Sequence, residues 1–373
     1  MVVLTLACGA VFGLSGPHVA ADQPMSERFR AALPGYAYAF PRDHGSHDEF
    51  RTEWWYYTGH VIARNGRRFG YQLTFFRRRM DPERVGSNPS RWALHQLYLA
   101  HFAITDVDRS RFQFAEKLSR AGLGKAGADT GRLHVWIDHW SAEASADAPS
   151  HHHLRASTPE FAVDLTLTPA KPAVVHGQDG LSRKGAQPGQ ASHYYSLTRL
   201  GTEGSVTIQG EPFAVTGTSW MDHEFGSGDL GKDQVGWDWF SVQLDNDTEL
   251  MLYRLRRTDG SVEPMSSGTW VPAHGRAQAL TVDDVHVEAR GTWTSRASGA
   301  RYPSGWRVTV PQFGLALDLA PLLADQELIT RRSTQITYWE GAVRARGTLH
   351  GTSVTGQGYV ELIGYAERFR QRL

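Results

Sequence analysis

The chain has 373 residues, 39 basic and 39 acidic side chains, 40% hydrophobic residues and a single cysteine, Cys8. This length and composition predict a folded globular protein of two domains. Zero net charge leaves no global field to attract nucleic acid or an anionic membrane, and one cysteine excludes an internal disulfide.

Residues 1–21 hold an apolar run, Val2 to Leu14, followed by the small residues Val19-Ala-Ala21. They are expected to be an export signal with a truncated start, because the run is too short to span a bilayer. The mature protein is therefore expected in the periplasm or outside the cell. Cys8 sits in a poor context for lipid attachment. Residues 22–43, punctuated by Pro24, Pro34 and Pro41, form an N-terminal extension.

Glu53-Trp-Trp-Tyr-Tyr-Thr58 predicts a strand with Glu53, Trp55 and Tyr57 on one face and Trp54, Tyr56 and Thr58 on the other. An Asn65-Gly66 turn returns the chain through 69–76 as a hairpin. Glu53 opens an apolar strand, so it either pairs with Arg77 or Arg51 or lines a cavity. Further strands are predicted at 92–104, 111–115, 133–140, 153–156, 161–168, 192–199, 204–208 and 213–220, with loops at 142–149 and 170–190.

The stretch Trp220-Met-Asp-His-Glu-Phe-Gly226 gathers side chains with proton and stacking chemistry at the end of a strand. Trp220, Asp222 and Glu224 share one face; Met221 and His223 take the other. A carboxyl beside an indole on the interior face of a barrel is desolvated, its pKa rises, and it can donate a proton. The alternative is a pair of acids that cap or ion-pair at the surface.

A turn-rich link leads to Gly236-Trp-Asp-Trp-Phe240, which pairs as a hairpin with 249–257 across 245–247. Strands at 268–271, 279–289, 291–295, 305–310, 315–319, 338–347 and 356–364 follow. The pattern predicts an all-β chain with two tandem antiparallel barrels or sandwiches, residues 44–232 and 233–373. Both halves open on an aromatic hairpin, which hints at a distant repeat.

Glu53-Trp-Trp-Tyr-Tyr-Thr-Gly-His60, Gly70-Tyr-Gln-Leu-Thr-Phe-Phe-Arg77, His193-Tyr-Tyr195, Trp220 to Gly226 and Gly236 to Phe240 together resemble the carotenoid 1,2-hydratase (hydroxyneurosporene synthase) and AttH-like family. The resemblance runs from about His44 to Tyr365 and implies tandem lipocalin-like barrels. In the hydrating branch, a His-x-aromatic pair and an aromatic-x-Asp pair are implicated in adding water to an isolated double bond without cofactor. The resemblance puts those roles on His193 and Tyr195, then on Trp220 and Asp222, with the aromatic identities exchanged relative to the hydratase pattern.

Hydration of such an alkene needs a carboxylic acid kept protonated, here Asp222, and aromatic faces for the cation that forms. Glu53, Trp54, Trp55, Tyr57 and Glu224 are the expected ligand-binding residues. His44-x-x-His47, His151-His-His153 and Asp222-His-Glu224 lack zinc-site spacing or context, so neither metal nor cofactor is expected. No Gly-x-Ser-x-Gly elbow supports a serine hydrolase. Two readings remain: a lyase or isomerase acting on an isoprenoid, lipid or polyketide-like molecule, and a periplasmic carrier of such a molecule, associated with an ABC transporter.

Overall fold

The computed structural model describes residues 29–81 and 94–369. The expected export signal, Cys8, and Trp92 and Ala93 of the predicted third strand lie outside the described residues.

The first sheet comprises β1 (Thr52–Ala63), β2 (Arg68–Arg79), β3 (Gln96–Asp106), β4 (Arg111–Arg120), β5 (Ala126–Ala128), β6 (His134–Ile137), β7 (Trp140–Ala144), β8 (His152–Ser157), β9 (Phe161–Pro169), β10 (Val174–Val175), β11 (Leu181–Arg183), β12 (Ala191–Ile208) and β13 (Glu211–Gly226). The second comprises β14 (Gln234–Leu244), β15 (Glu249–Arg257), β16 (Ser267–Val271), β17 (Gln278–Thr281), β18 (His286–Ala289), β21 (Trp306–Val310), β22 (Leu315–Pro321), β23 (Glu327–Ile329), β24 (Thr337–Leu349) and β25 (Thr352–Ile363). Between β18 and β21 in sequence, β19 (Thr292–Thr294) and β20 (Arg301–Pro303) form a separate ribbon. All pairing is antiparallel. The first sheet curls into a barrel and the second into a half-barrel, the tandem lipocalin-like arrangement.

The two sheets share one topology. The first runs β4-β3-β2-β1-β13-β12-β9-β8-β7 and on to β5; the second runs β17-β16-β15-β14-β25-β24-β22-β21-β18. In each, the opening strand pairs with both its hairpin partner and the closing strand. The aromatic hairpins that hinted at a repeat in the sequence are therefore equivalent elements.

Local chemistry accounts for the turns. Gly66, at φ +86°, makes the β1–β2 turn, and Asp247, at φ +59°, the β14–β15 turn. Residues predicted as loops at 170–190 also supply β10 and β11, which pair with β12. The strand predicted over 279–289 is broken by a turn at Val282–Asp284, where Asp284 accepts from the Thr281 backbone and hydroxyl.

Burial along β12 and β13 shows where the second sheet lies. Residues 203–214, at the distal end of this hairpin, are largely exposed, whereas Trp220 to Gly226 are buried without a break. One face of the buried half looks into the first barrel, whose core includes Trp55, Tyr57 and Met221. The other face meets the second sheet in a separate cluster that includes Tyr56, Tyr194, Trp220, Trp239 and Tyr253. Gly70 permits the approach: a Cβ there would lie 2.6 Å from Tyr359 Oη and 2.9 Å from Ala342 Cβ.

Candidate active site between the sheets

Strand register builds the site from two facing rows. Across the first sheet, Ser196 pairs with Asp222, Asp222 with Tyr56, Tyr56 with Thr74, and Thr74 with His101. Across the second, Glu340 pairs with Glu361, Glu361 with Trp239, and Trp239 with Tyr253. Residues in such a row share a face. Between the rows lies a cavity of about 270 Å³, walled by Trp54, Tyr56, Tyr194, Trp237, Trp239 and Tyr253. Its size and aromatic walls suit a small apolar molecule.

Asp222 is the carboxyl at the centre of the first wall, only 4% exposed. Trp220 Nε1 donates to its Oδ1 at 2.6 Å, Tyr194 Oη donates to its Oδ2 at 2.6 Å, and Ser196 Oγ donates to Oδ1. Burial disfavours the anion and these donors favour it; burial wins, and the pKa is pushed up to about 7. Tyr194 Oη in turn accepts from Trp239 Nε1 at 3.1 Å, which ties the two walls together. Glu224 is engaged differently, held by Ser192 and by Lys184 Nζ at 3.0 Å.

The opposite wall carries Glu361, whose Oε2 accepts from Trp237 Nε1 at 2.6 Å. Burial pushes its pKa up to about 7 as well. Behind it, Glu340 is 2% exposed, and neither of its carboxyl oxygens has a hydrogen-bond partner among the described residues. The Tyr56 hydroxyl stands near Glu340 without forming a hydrogen bond that meets ordinary distance and angle limits.

The inner face of the same strands holds a second polar cluster. Glu53, fully buried, accepts from His47 Nδ1 and His223 Nε2 at 2.8 Å each and from Arg77 Nε at 2.9 Å. Burial alone would raise its pKa, but the Arg77 charge and the two imidazole donors hold it well below the usual carboxylate range. His47 is stacked on Phe225 at 3.6 Å; burial opposes its charge, yet Asp43 and Glu53 raise its pKa to about 9. Tyr195 Oη lies 2.7 Å from His44 Nδ1 and 3.0 Å from His223 Nδ1. Trp55 Nε1 donates to His44 O, and Tyr57 Oη meets His152 Nδ1 at 3.0 Å.

The profile of the AttH-like family matches residues 31–365. The chain belongs to the AttH-like family. A solved structure from Nitrosomonas europaea described as an AttH protein is 37% identical, with a TM-score of 0.80 over 90% of this chain and 99% of that one. Kievitone hydratase of Fusarium solani subsp. phaseoli is 24% identical over 246 residues, 65% of this chain and 68% of its own length. The kievitone hydratase structure from Nectria haematococca shares the fold, with a TM-score of 0.69 at 17% identity over 91% of this chain and 96% of that one. Hydratases are thus among the relatives of this AttH-like chain.

Against the residues singled out in the sequence, the AttH-like fold keeps some together and separates others. Asp222, Trp54 and Glu224 line the cavity, and Trp220 packs behind that wall with its indole N–H on Asp222. That wall is the outer face of the barrel, not its interior as expected. His193 and Tyr195 pair with Phe225 and His223, so they point into the barrel and away from Asp222. His193 lies instead against Tyr36, Phe50 and Phe225, with no hydrogen-bond partner for its Nδ1 among the described residues. Glu53, Trp55 and Tyr57 also face inward and do not line the cavity. Of the two partners weighed for Glu53, Arg77 is the one observed.

Sequence reasoning missed Tyr194 and Ser196, which take the places given to His193 and Tyr195, and it missed Glu340 and Glu361 altogether. The first miss had a signal: once Asp222 is assigned a face, its neighbours on a paired strand must be in register. The metal expectation also needs amending. The ligand-type atoms of His47, Glu53 and His223 lie within 4.8 Å of one another, a set the sequence spacing did not reveal. In this arrangement they are hydrogen-bonded to each other, and Arg77 supplies the positive charge beside Glu53.

Proposed function

We propose that the cavity between the sheets binds an apolar, alkene-bearing molecule and that Asp222 is the proton donor in its cofactor-independent hydration or isomerisation. The observation that carries this is a buried carboxyl with its pKa pushed up to about 7 on the wall of an aromatic cavity. Such a group is protonated in a useful fraction at neutral pH and regains its hydrogen bonds when it becomes an anion. The Asp222 O–H bond breaks as its proton forms a new C–H bond, leaving a carbocation. The rings of Tyr56 and Trp239, 5.1 Å apart, offer π faces to that cation. Water then forms the C–O bond and loses a proton, or loss of a neighbouring proton gives the isomer. Hydratases among the relatives support the same reaction class.

The test is incubation of the purified protein with kievitone and, separately, with lycopene, read by mass spectrometry. A product heavier by one water, absent with Asp222→Asn, supports the reading. Recovery of bound, unchanged ligand, with Asp222→Asn binding equally well, overturns it in favour of an exported carrier serving a transporter. That second reading draws on the apolar N-terminal run of the sequence.

A further inference from the structure

We propose that Glu361, backed by a Glu340 that stays protonated, is the second proton-transfer group of this cavity and takes the proton from the attacking water. The proposal rests on the reading of Asp222 as donor and adds the base which that reading leaves unnamed.

The geometry comes first. Glu340 and Glu361 stand directly opposite each other on β24 and β25. Side chains so placed on one face have Cβ atoms about 4.5–5.5 Å apart, close enough for their charges to repel. Glu361 keeps part of its surface open to the cavity, whereas Glu340 is closed in behind it. The titratable groups facing the pair are Asp222 and Glu224 from β13, Tyr56 from β1, Tyr338 from β24 and Tyr359 from β25. None of these is a cation, and the cations on the cavity lining are set against other carboxylates, Lys184 against Glu224, Arg77 against Glu53 and Arg78 beside Asp229. Like charges at this separation do not both ionise near neutrality.

Hydrogen bonding decides which carboxyl holds the proton. Glu361 accepts the Trp237 indole N–H, a donor that favours an anion. Glu340 is closed in with only the Tyr56 hydroxyl nearby, and a buried carboxyl so poorly supplied is far cheaper neutral than charged. Glu340 is therefore the acid of the pair and Glu361 the carboxylate.

Asp222 and Glu361 project from opposite walls of one cavity, which gives the chemistry a direction. The alkene takes the proton from Asp222, and water attacks the cation from the Glu361 side. As the C–O bond forms, a water O–H bond breaks and its proton passes to a Glu361 oxygen. Asp222 ends as carboxylate and Glu361 as acid, and exchange with solvent after product release restores both. Two carboxyls working on opposite sides of a reacting carbon, with water beside the base, is the arrangement inverting glycosidases use.

The two protonation states are tested on the free protein by carboxyl ¹³C NMR titration of glutamate-labelled chain. Two glutamates are expected to titrate above the usual carboxylate range, and Glu340→Gln, which exchanges a neutral acid for a neutral amide, is expected to remove the higher midpoint and leave that of Glu361 within about half a unit. Either Glu361 or Glu340 titrating in the ordinary range overturns the pair. The catalytic part is tested with whichever probe, kievitone or lycopene, the wild type hydrates. Glu361→Gln should lose about 100-fold or more in kcat, with KM within about threefold. Glu340→Gln should leave the acidic limb of the pH–rate profile in place, and Trp237→Phe, which removes the donor to Glu361, should move it up. Full activity in Glu361→Gln with Asp222→Asn inactive overturns this proposal and leaves the Asp222 reading standing. If neither probe reacts with the wild type, the catalytic assignment falls with that reading, and the titration alone decides which carboxyl holds the proton.

Discussion

The two faces of β1 and β13 carry buried polar clusters built from neighbouring residues, and the clusters are opposites. On the inner face, Glu53 has two imidazoles and a guanidinium around it and is held as an anion. On the outer face, Asp222 and Glu361 are pushed up to about 7, and Glu340 is left without a partner among the described residues. Burial is similar on both sides; what differs is the cation, for Arg77 pairs with Glu53 whereas the outer face's Lys184 pairs with Glu224 and leaves Asp222 with neutral donors. A saturated charge cluster fixes a fold, because removing any member strands the others. An undersupplied one beside a cavity is free to exchange protons. Acidic residue content therefore says little about where chemistry happens; the count of counter-charges says more.

The sharpest way to break this comparison is Asp222→Asn. Turnover of a hydrated probe should fall by about 10²–10⁴-fold, while the urea unfolding midpoint changes little. Arg77→Met is the complement: it leaves Glu53 buried without its cation and should cost about 3–5 kcal/mol in urea unfolding. A cost below about 1 kcal/mol would show that the inner cluster is not what holds the barrel end together.

The pH dependence of stability should also separate the faces. Asp222 and Glu361 have folded pKa values raised from 3.8 and 4.5 to about 7, so their contribution is fully present below about 4 and is lost as the pH rises to about 7. The double variant Asp222→Asn, Glu361→Gln should lack that decline in unfolding midpoint. His47, raised from 6.5 to about 9, contributes below about 6.5 and is lost as the pH rises through about 9. Glu53 acts in the other direction, with its contribution lost as the pH falls through its lowered value.

Smaller still is Tyr194→Phe. It removes one donor to the Asp222 anion and should move the alkaline limb of the pH–rate profile up by about one unit. The smallest effect belongs to His153→Ala, which removes a partner of the exposed Asp164 and should change stability by less than about 1 kcal/mol.

The sequence by itself determined the all-β class, the hairpins at Asn65-Gly66 and at 245–247, and the alternation that puts Trp220, Asp222 and Glu224 on one face. These are consequences of a two-residue pleat and of turn chemistry, which act over a few residues. Glu53 was also legible as an anion in need of a cation, since a carboxylate in so apolar a strand requires one. Which way each face points is a different kind of fact. It depends on the second sheet covering the outer side of the first barrel, and on the register that pairs Ser196 with Asp222 and Glu340 with Glu361. A shift of one residue exchanges the faces, so His193 and Tyr195 could not be told from Tyr194 and Ser196 without the pairing partner. Asp222 and Glu361 lie more than a hundred positions apart in the chain, and only sheet packing brings them to one cavity.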